Sequence, residues 1–313
     1  MIPVEKTTDA GSGIGVSLSE LLALRGEAKR LDLRARGKVL ATRTGGHLSR
    51  FRGRGMEFHE SRIYQPGDEV RNMDWRVTAR AGKPHVKQFQ EERERPLWLL
   101  VDQGPSMRFG TRVAFKSVIA ARAAALLAWA AVDRGDRVGG FVFDETWQFE
   151  RRPAARTRGL LPLLQALAQL PQHRPAGFKG IVPAAQTLVH LVRPGSLIFL
   201  LSDFLGIQRE SNRWIAELGR ANELVFLHLY DPLEAWAPPP GRYPVTDGRQ
   251  TSLLDTRDPD QRQRWHQRFR AHVDDLETLA RRYQVHLLQL RTDQPVGKAL
   301  FQGLRPRPLR KAG

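Results

Sequence analysis

The sequence predicts an α/β fold: a doubly wound, mostly parallel sheet with helices on both faces, preceded by a smaller N-terminal α+β segment. Three observations predict it. From Leu97 onward, short and nearly continuous apolar runs alternate with long helical patterns, as βαβ units around a buried parallel sheet require. Asp102, Asp144, Asp203 and Asp231 each follow such a run, which makes them candidates for one edge of the sheet, where ligands of open α/β sheets bind. Apolar residues make up 41% of the 313, enough to bury one large core and leave material for a smaller unit.

The elements follow in order. Residues 1–16 are small, polar and aperiodic, and read as a disordered N-terminus. Ser17 or Ser19 caps a helix in which Leu18, Leu21, Leu22, Leu24, Ala28 and Leu31 recur at helical spacing, ending near Arg36–Gly37. Residues 45–55 read as a flexible basic loop. Met56 to Tyr64 is a strand, Gln65-Pro66-Gly67-Asp68 a turn, Asn72 to Arg80 a short helix, 81–84 a second turn, and His85 to Arg93 a strand. Further strands are expected at 97–101, 137–144, 196–201, 224–230 and 285–290, with 146–151 folding back on the second of them. Helices are expected at 113–133, 158–170, 182–191, 210–220, 260–282 and 295–304, and a hairpin insertion within 237–257. The resulting division is 1–16, a 17–95 N-terminal segment, a 96–304 α/β domain and a 305–313 basic tail.

Composition excludes several classes. There is no cysteine, so disulfides, thiolate metal sites and a cysteine nucleophile are out. No apolar h-region opens the chain and no run is long enough for a membrane span, so a cytoplasmic location is expected. Fifty basic residues against 33 acidic give a net charge of +17. That excess suits nucleic acid, anionic lipid or an acidic partner, or reflects no more than an arginine-rich composition. There is no phosphate-binding Gly-x-x-x-x-Gly-Lys loop, no Gly-x-Ser-x-Gly and no His-Glu-x-x-His, and the nine histidines are scattered.

Two constellations remain. The first is Asp102-Gln-Gly104-Pro-Ser106 after one buried strand with Ser202-Asp203 after another. It resembles the metal-ion-dependent adhesion site of von Willebrand factor A domains, in which an Asp-x-Ser-x-Ser loop, a distant Thr and a distant Asp hold a divalent cation. Asp102, Ser106 and Asp203 match three positions of that pattern. Gly104 stands where the middle serine belongs, and Gly180-Ile181-Val182 lacks the threonine. A hard cation wants about six oxygens, so Mg2+ or another divalent ion would bind weakly here. Alternatively, Asp102 and Asp203 cap loops by accepting backbone N–H bonds.

The second constellation is denser. Arg62, Tyr64, Asp68, Arg71, Asp74, Trp75 and Arg80 interleave both charges with aromatic rings over a short stretch, with Glu57, Asp68 and Asp74 as carboxylate partners for the arginines. This reads either as a docking surface or as an ion-pair network that fastens the segment to the core. The run from Gly55-x-Glu57-Phe58 through Arg62-x-Tyr64, Gly67-Asp68-x-x-Arg71, Asp74-Trp75 and Ala79-Arg80 to the Asp102 loop closely resembles the bacterial family called domain of unknown function 58, over about residues 50–205. The resemblance implies a von Willebrand factor A-like fold. It also implies a non-enzymatic adaptor that works with a MoxR-type AAA+ ATPase in chaperone-like assembly. Many members of that family carry N-terminal membrane spans, and none is visible here. A nucleic-acid-binding protein using the basic 43–54 loop and the C-terminal tail is the alternative, and a metal-assisted hydrolase is a third reading.

Overall fold

The computed structural model describes residues 13–33, 56–91, 95–169, 180–207, 212–246 and 251–304. The basic 43–54 loop, residues 1–12 and the tail 305–313 lie outside the described residues. The chain forms two compact units: Lys38–Glu94, and a larger one made of Met1–Gly37 and Arg95–Gly313.

The larger unit is built on a six-stranded sheet of β3 (Pro96–Asp102), β4 (Arg137–Phe143), β5 (Gln148–Ala155), β6 (Leu197–Ser202), β7 (Glu223–Tyr230) and β10 (His286–Arg291). Its order is β10-β7-β6-β3-β4-β5, parallel except for β5, which folds back antiparallel on β4. The chain leaves β3 to one side for β4 and later returns on its other side as β6. The β3/β6 boundary is therefore the topological switch point, where a crevice opens beyond the strand ends.

Alternation along the strands builds two cores, because successive side chains point to opposite faces. Leu97, Leu99 and Val101 of β3 face one core with Phe199, Leu201, Val225 and Leu227. Trp98 and Leu100 face the other with Ile198, Leu200 and Phe226. The first core is covered by α4 (Lys116–Asp133), α5 (Thr157–Ala168) and α10 (Val296–Gly303), and the second by α6 (Val182–Leu191), α7 (Arg213–Gly219) and α9 (Pro259–Tyr283). Helix α4 is buried almost all round, as its unbroken alanine-rich run demands. A hairpin of β8 (Arg242–Thr246) and β9 (Thr251–Asp255) forms the expected insertion. Among the described residues no helix is long and apolar enough to cross a membrane.

The N-terminal elements differ from expectation. Ser17 caps α1 (Leu18–Ala23) by accepting from Glu20 N–H, but the helix breaks at Leu24 and α2 (Arg25–Ala28) is a single turn. Beyond it Leu31 and Leu33 are buried and Asp32 is exposed, so the apolar period falls from helical to alternating, and residues 31–33 are not helical as expected. Leu21 is fully buried in the α4 core, Trp129 donates to its carbonyl, and Arg122 pairs with Glu20. The expected 17–95 segment is thus two things: residues 17–33 complete the α/β core, and Lys38–Glu94 is a unit of its own. Residues 13–16 also depart from the disorder expected of 1–16, since Phe115 N–H donates to Gly13 O and Val16 packs on the core.

The smaller unit pairs β1 (Met56–Ile63) antiparallel with β2 (His85–Glu91). Asp68 N–H bonds Gln65 O, and Gly67 at φ 106 supplies the left-handed position that a type II turn requires after Pro66. Helix α3 (Trp75–Ala81) starts later than the expected Asn72 because Asp74 caps it. Gly82, left-handed at φ 66, ends it.

Candidate functional site

The parallel register sets Val101 of β3 beside Leu201 of β6, so the residues that follow emerge together at the switch point. Asp102 is 3% exposed. Its carboxylate accepts from Gly104 N–H at 2.8 Å and from the Ser202 hydroxyl at 2.7 Å. Ser202 Oγ in turn accepts from Phe204 N–H, and Phe204 is held buried in a left-handed conformation at φ 55, so the loop after β6 turns sharply. Asp203 accepts from Leu205 N–H at 3.1 Å, and the nearby Ser106 hydroxyl helps to hold its carboxyl down. Asp102, Ser106 and Asp203 do meet at one edge of one sheet.

The residue that organises them is one the sequence did not single out. Lys116, the first residue of α4, is fully buried, with its ammonium 2.9 Å from Asp203 Oδ2 and 2.6 Å from Glu234 Oε1. Glu234 belongs to α8 (Pro232–Ala235), a short helix not expected from sequence, and closes a capping box with Asp231. Asp231 is saturated: it accepts from Thr111 N–H and hydroxyl, Leu233 N–H and the Thr292 hydroxyl. One ammonium and a chain of carboxylates thus lock together the loops after β3, β6 and β7.

The titration behaviour follows from this arrangement. Burial, reinforced by Asp203, pushes Asp102 up to about 7, while Ser202 and Gly104 oppose the shift. Burial would raise Asp203 as well, but the Lys116 ammonium outweighs it and holds the carboxyl below its usual range. Burial would lower Lys116, and Asp203 and Glu234 together more than reverse that. Glu234 is raised by burial against the pull of Lys116.

These residues do not fit a divalent cation. Asp203 is turned to an ammonium, and a metal beside it would add a second positive centre against the first. Both Asp102 oxygens are already engaged by its own loop and by Ser202. A Cβ on Gly104 would stand 3.0 Å from Asp102 Oδ1, so the carboxylate has folded back over the space that a serine there would need. The void between Asp102, Ser106 and Gly180 is about 10 Å3, room for roughly one water.

The second constellation lies in the smaller unit. Arg62 pairs with Asp68 at 2.7 Å, and this bond together with Gln65 N–H holds the Asp68 carboxyl below its usual range. Asp74 is a cap, accepting from the Ser61 hydroxyl and Val77 N–H, and pairs with no arginine among the described residues. Tyr64 is half-buried, whereas Arg71, Trp75 and Arg80 are exposed, with Trp75 66% so. The turn-side charges are therefore structural, and Arg71, Trp75 and Arg80 remain as surface.

A family model described as "Protein of unknown function DUF58" matches residues 60–275. Uncharacterized proteins of Mycobacterium bovis and Mycobacterium tuberculosis are each 33% identical to this chain over 269 residues, 85% of it and 84% of theirs. Among solved structures, a conserved hypothetical protein BatB from Bacteroides thetaiotaomicron aligns at 14% identity and TM-score 0.37, over 67% of this chain and 97% of that one. An aerotolerance-related membrane protein from Bacteroides fragilis aligns at 18% and 0.40, over 67% and 98%.

Proposed function

The chain belongs to the DUF58 family of proteins of unknown function, and from that premise we propose that it is a non-catalytic interaction protein that docks a partner on the carboxyl edge of its sheet. One observation carries the reading. Phe109, Val113, Leu205 and Trp236 are large, apolar and exposed, and they stand on the loops after β3, β6 and β7 that the Lys116 network locks together. Apolar side chains presented on a rigid, polar-framed edge suit protein contact. The carboxylates below them are each engaged by a lysine, a hydroxyl or a backbone N–H, which suits a structural frame better than acid–base chemistry.

The partner that the family resemblance implies is a MoxR-type AAA+ ATPase, and we read the fold as von Willebrand factor A-like and the chain as cytoplasmic. Docking on this reading uses apolar contact on an edge framed by a buried ammonium, not a bridging metal. The test is co-expression with the MoxR-type ATPase of the same genome and capture through a tag on this chain. Capture is expected, and Leu205→Ser with Trp236→Ser should abolish it at an unchanged melting temperature. Capture that is indifferent to both substitutions, or no capture by the parent chain, overturns the proposal.

A further inference from the structure

A cavity of about 300 Å3 opens beside the network, lined from the ends of β6 and β7, from α8 and from α9. Its walls are aromatic. Tyr230 and Phe269 lie 5.0 Å apart between ring centroids, His228 stacks on both, and Trp265 is fixed by donating to the Leu233 and Glu234 carbonyls. Asp203 and Glu234 also line it, and of their two carboxylates Glu234 is the more exposed, at 27% against 4%.

The polar inventory of this cavity is one-sided. Glu234 keeps 27% of its side chain exposed, and its two oxygens receive one bond each, from Lys116 and from Asp231 N–H, so lone pairs are left over. His272 Nε2 lies 2.9 Å from the Asp203 carbonyl oxygen, which can only accept. That nitrogen therefore carries a proton and donates to the carbonyl. Burial holds His228 neutral, at about 3, and among the described residues its Nδ1 has no partner. Acceptors and ring faces dominate, in a chain whose net charge is +17. Arg268 lines the cavity too, but it is exposed, where water and salt screen it. An anion drawn to it would have to face Glu234.

We propose that this cavity binds an alkylguanidinium group, the side chain of an arginine on the docked partner, lying against the aromatic wall of Tyr230, Trp265 and Phe269 with its N–H donors on Glu234. A planar cation stacks on ring faces and donates several bonds at once, which is what this wall and this carboxylate offer. The inference rests on the docking reading for the source of the arginine, but not for the chemistry of the cavity.

The test is calorimetric titration of the full chain with ethylguanidinium, with N-acetyl-arginine amide, with free arginine and with propionate. Saturable binding of the first two and none of propionate is expected. Phe269→Leu, which keeps apolar volume but removes a ring face, should weaken binding by about threefold to thirtyfold. Arg268→Ala should leave binding unchanged or tighten it. Propionate binding that Arg268→Ala removes, or no guanidinium binding at all, overturns the proposal. Free arginine binding more tightly than the capped form would assign the cavity to a free amino acid and overturn the partner assignment. Guanidinium binding in a chain that captures no ATPase supports the cavity and sinks only the docking reading.

Discussion

Replacing Lys116 with methionine should be the most damaging single change at the sheet edge. Methionine keeps most of the apolar stem, so the loss is chiefly the charge. The ammonium is fully buried and bonds Asp203 at 2.9 Å and Glu234 at 2.6 Å. Its removal leaves Asp203, whose side chain is only 4% exposed, without its counter-charge. Breaking one partner of such a buried pair costs about 3–5 kcal/mol. For a unit of this size each kcal/mol moves the melting temperature by about 2 °C, so a fall of roughly 6–10 °C is expected by circular dichroism. Adding Asp203→Asn should recover at least half of the loss, because the stranded charge disappears with its partner. The parent's lysine contribution should persist through neutral pH and vanish only in alkali, since a raised ammonium stabilises the fold until the pH climbs through its folded value. A Lys116→Met protein that melts within about 2 °C of the parent, or a double variant no better than the single, refutes the reasoning.

Asp102 supplies a pH prediction of the same sign in a lower window, since its folded value is raised too. Its folded carboxyl is raised to about 7, so between about pH 4 and pH 7 the native state holds a proton that the unfolded state has lost. Stability should therefore fall as pH rises through that window, by at most about 1.4 kcal/mol per pH unit, and Asp102→Asn should flatten the fall and be the more stable protein at pH 8 in urea melts. Leu21→Ala should destabilise the α/β unit by about 2–5 kcal/mol, because Leu21 is fully buried against α4. An exposed N-terminal helix would leave the urea midpoint unmoved.

The strands were legible because their chemistry is local. Leu97–Val101 and Leu197–Leu201 are apolar runs that can only be buried, and the parallel pairing they imply brings Asp102 and Asp203 together however far apart they stand in the chain. Gln65–Asp68 and Gly82 were legible for the same reason, since Pro-Gly and a terminal glycine dictate their own backbone. Lys116 was not. A lysine opening an apolar helix usually reaches solvent, and nothing nearby in sequence shows that α4 starts beneath the loops after β6 and β7. The one available hint was the Asp231-Pro-Leu-Glu234 spacing of a capping box, which foretells α8 but not the lysine that its glutamate meets. The N-terminal helix was overextended because Leu31 fits both a helical period and an alternating one, and burial chose the second.

Titration of Mg2+ into metal-free protein, followed by calorimetry and by thermal melting, tests most directly whether the edge is held by its own lysine. The account predicts no saturable heat and no rise in melting temperature, because the Asp203 carboxylate already has its cation in Lys116. A saturable, stabilising binding event that Asp203→Asn abolishes would contradict it.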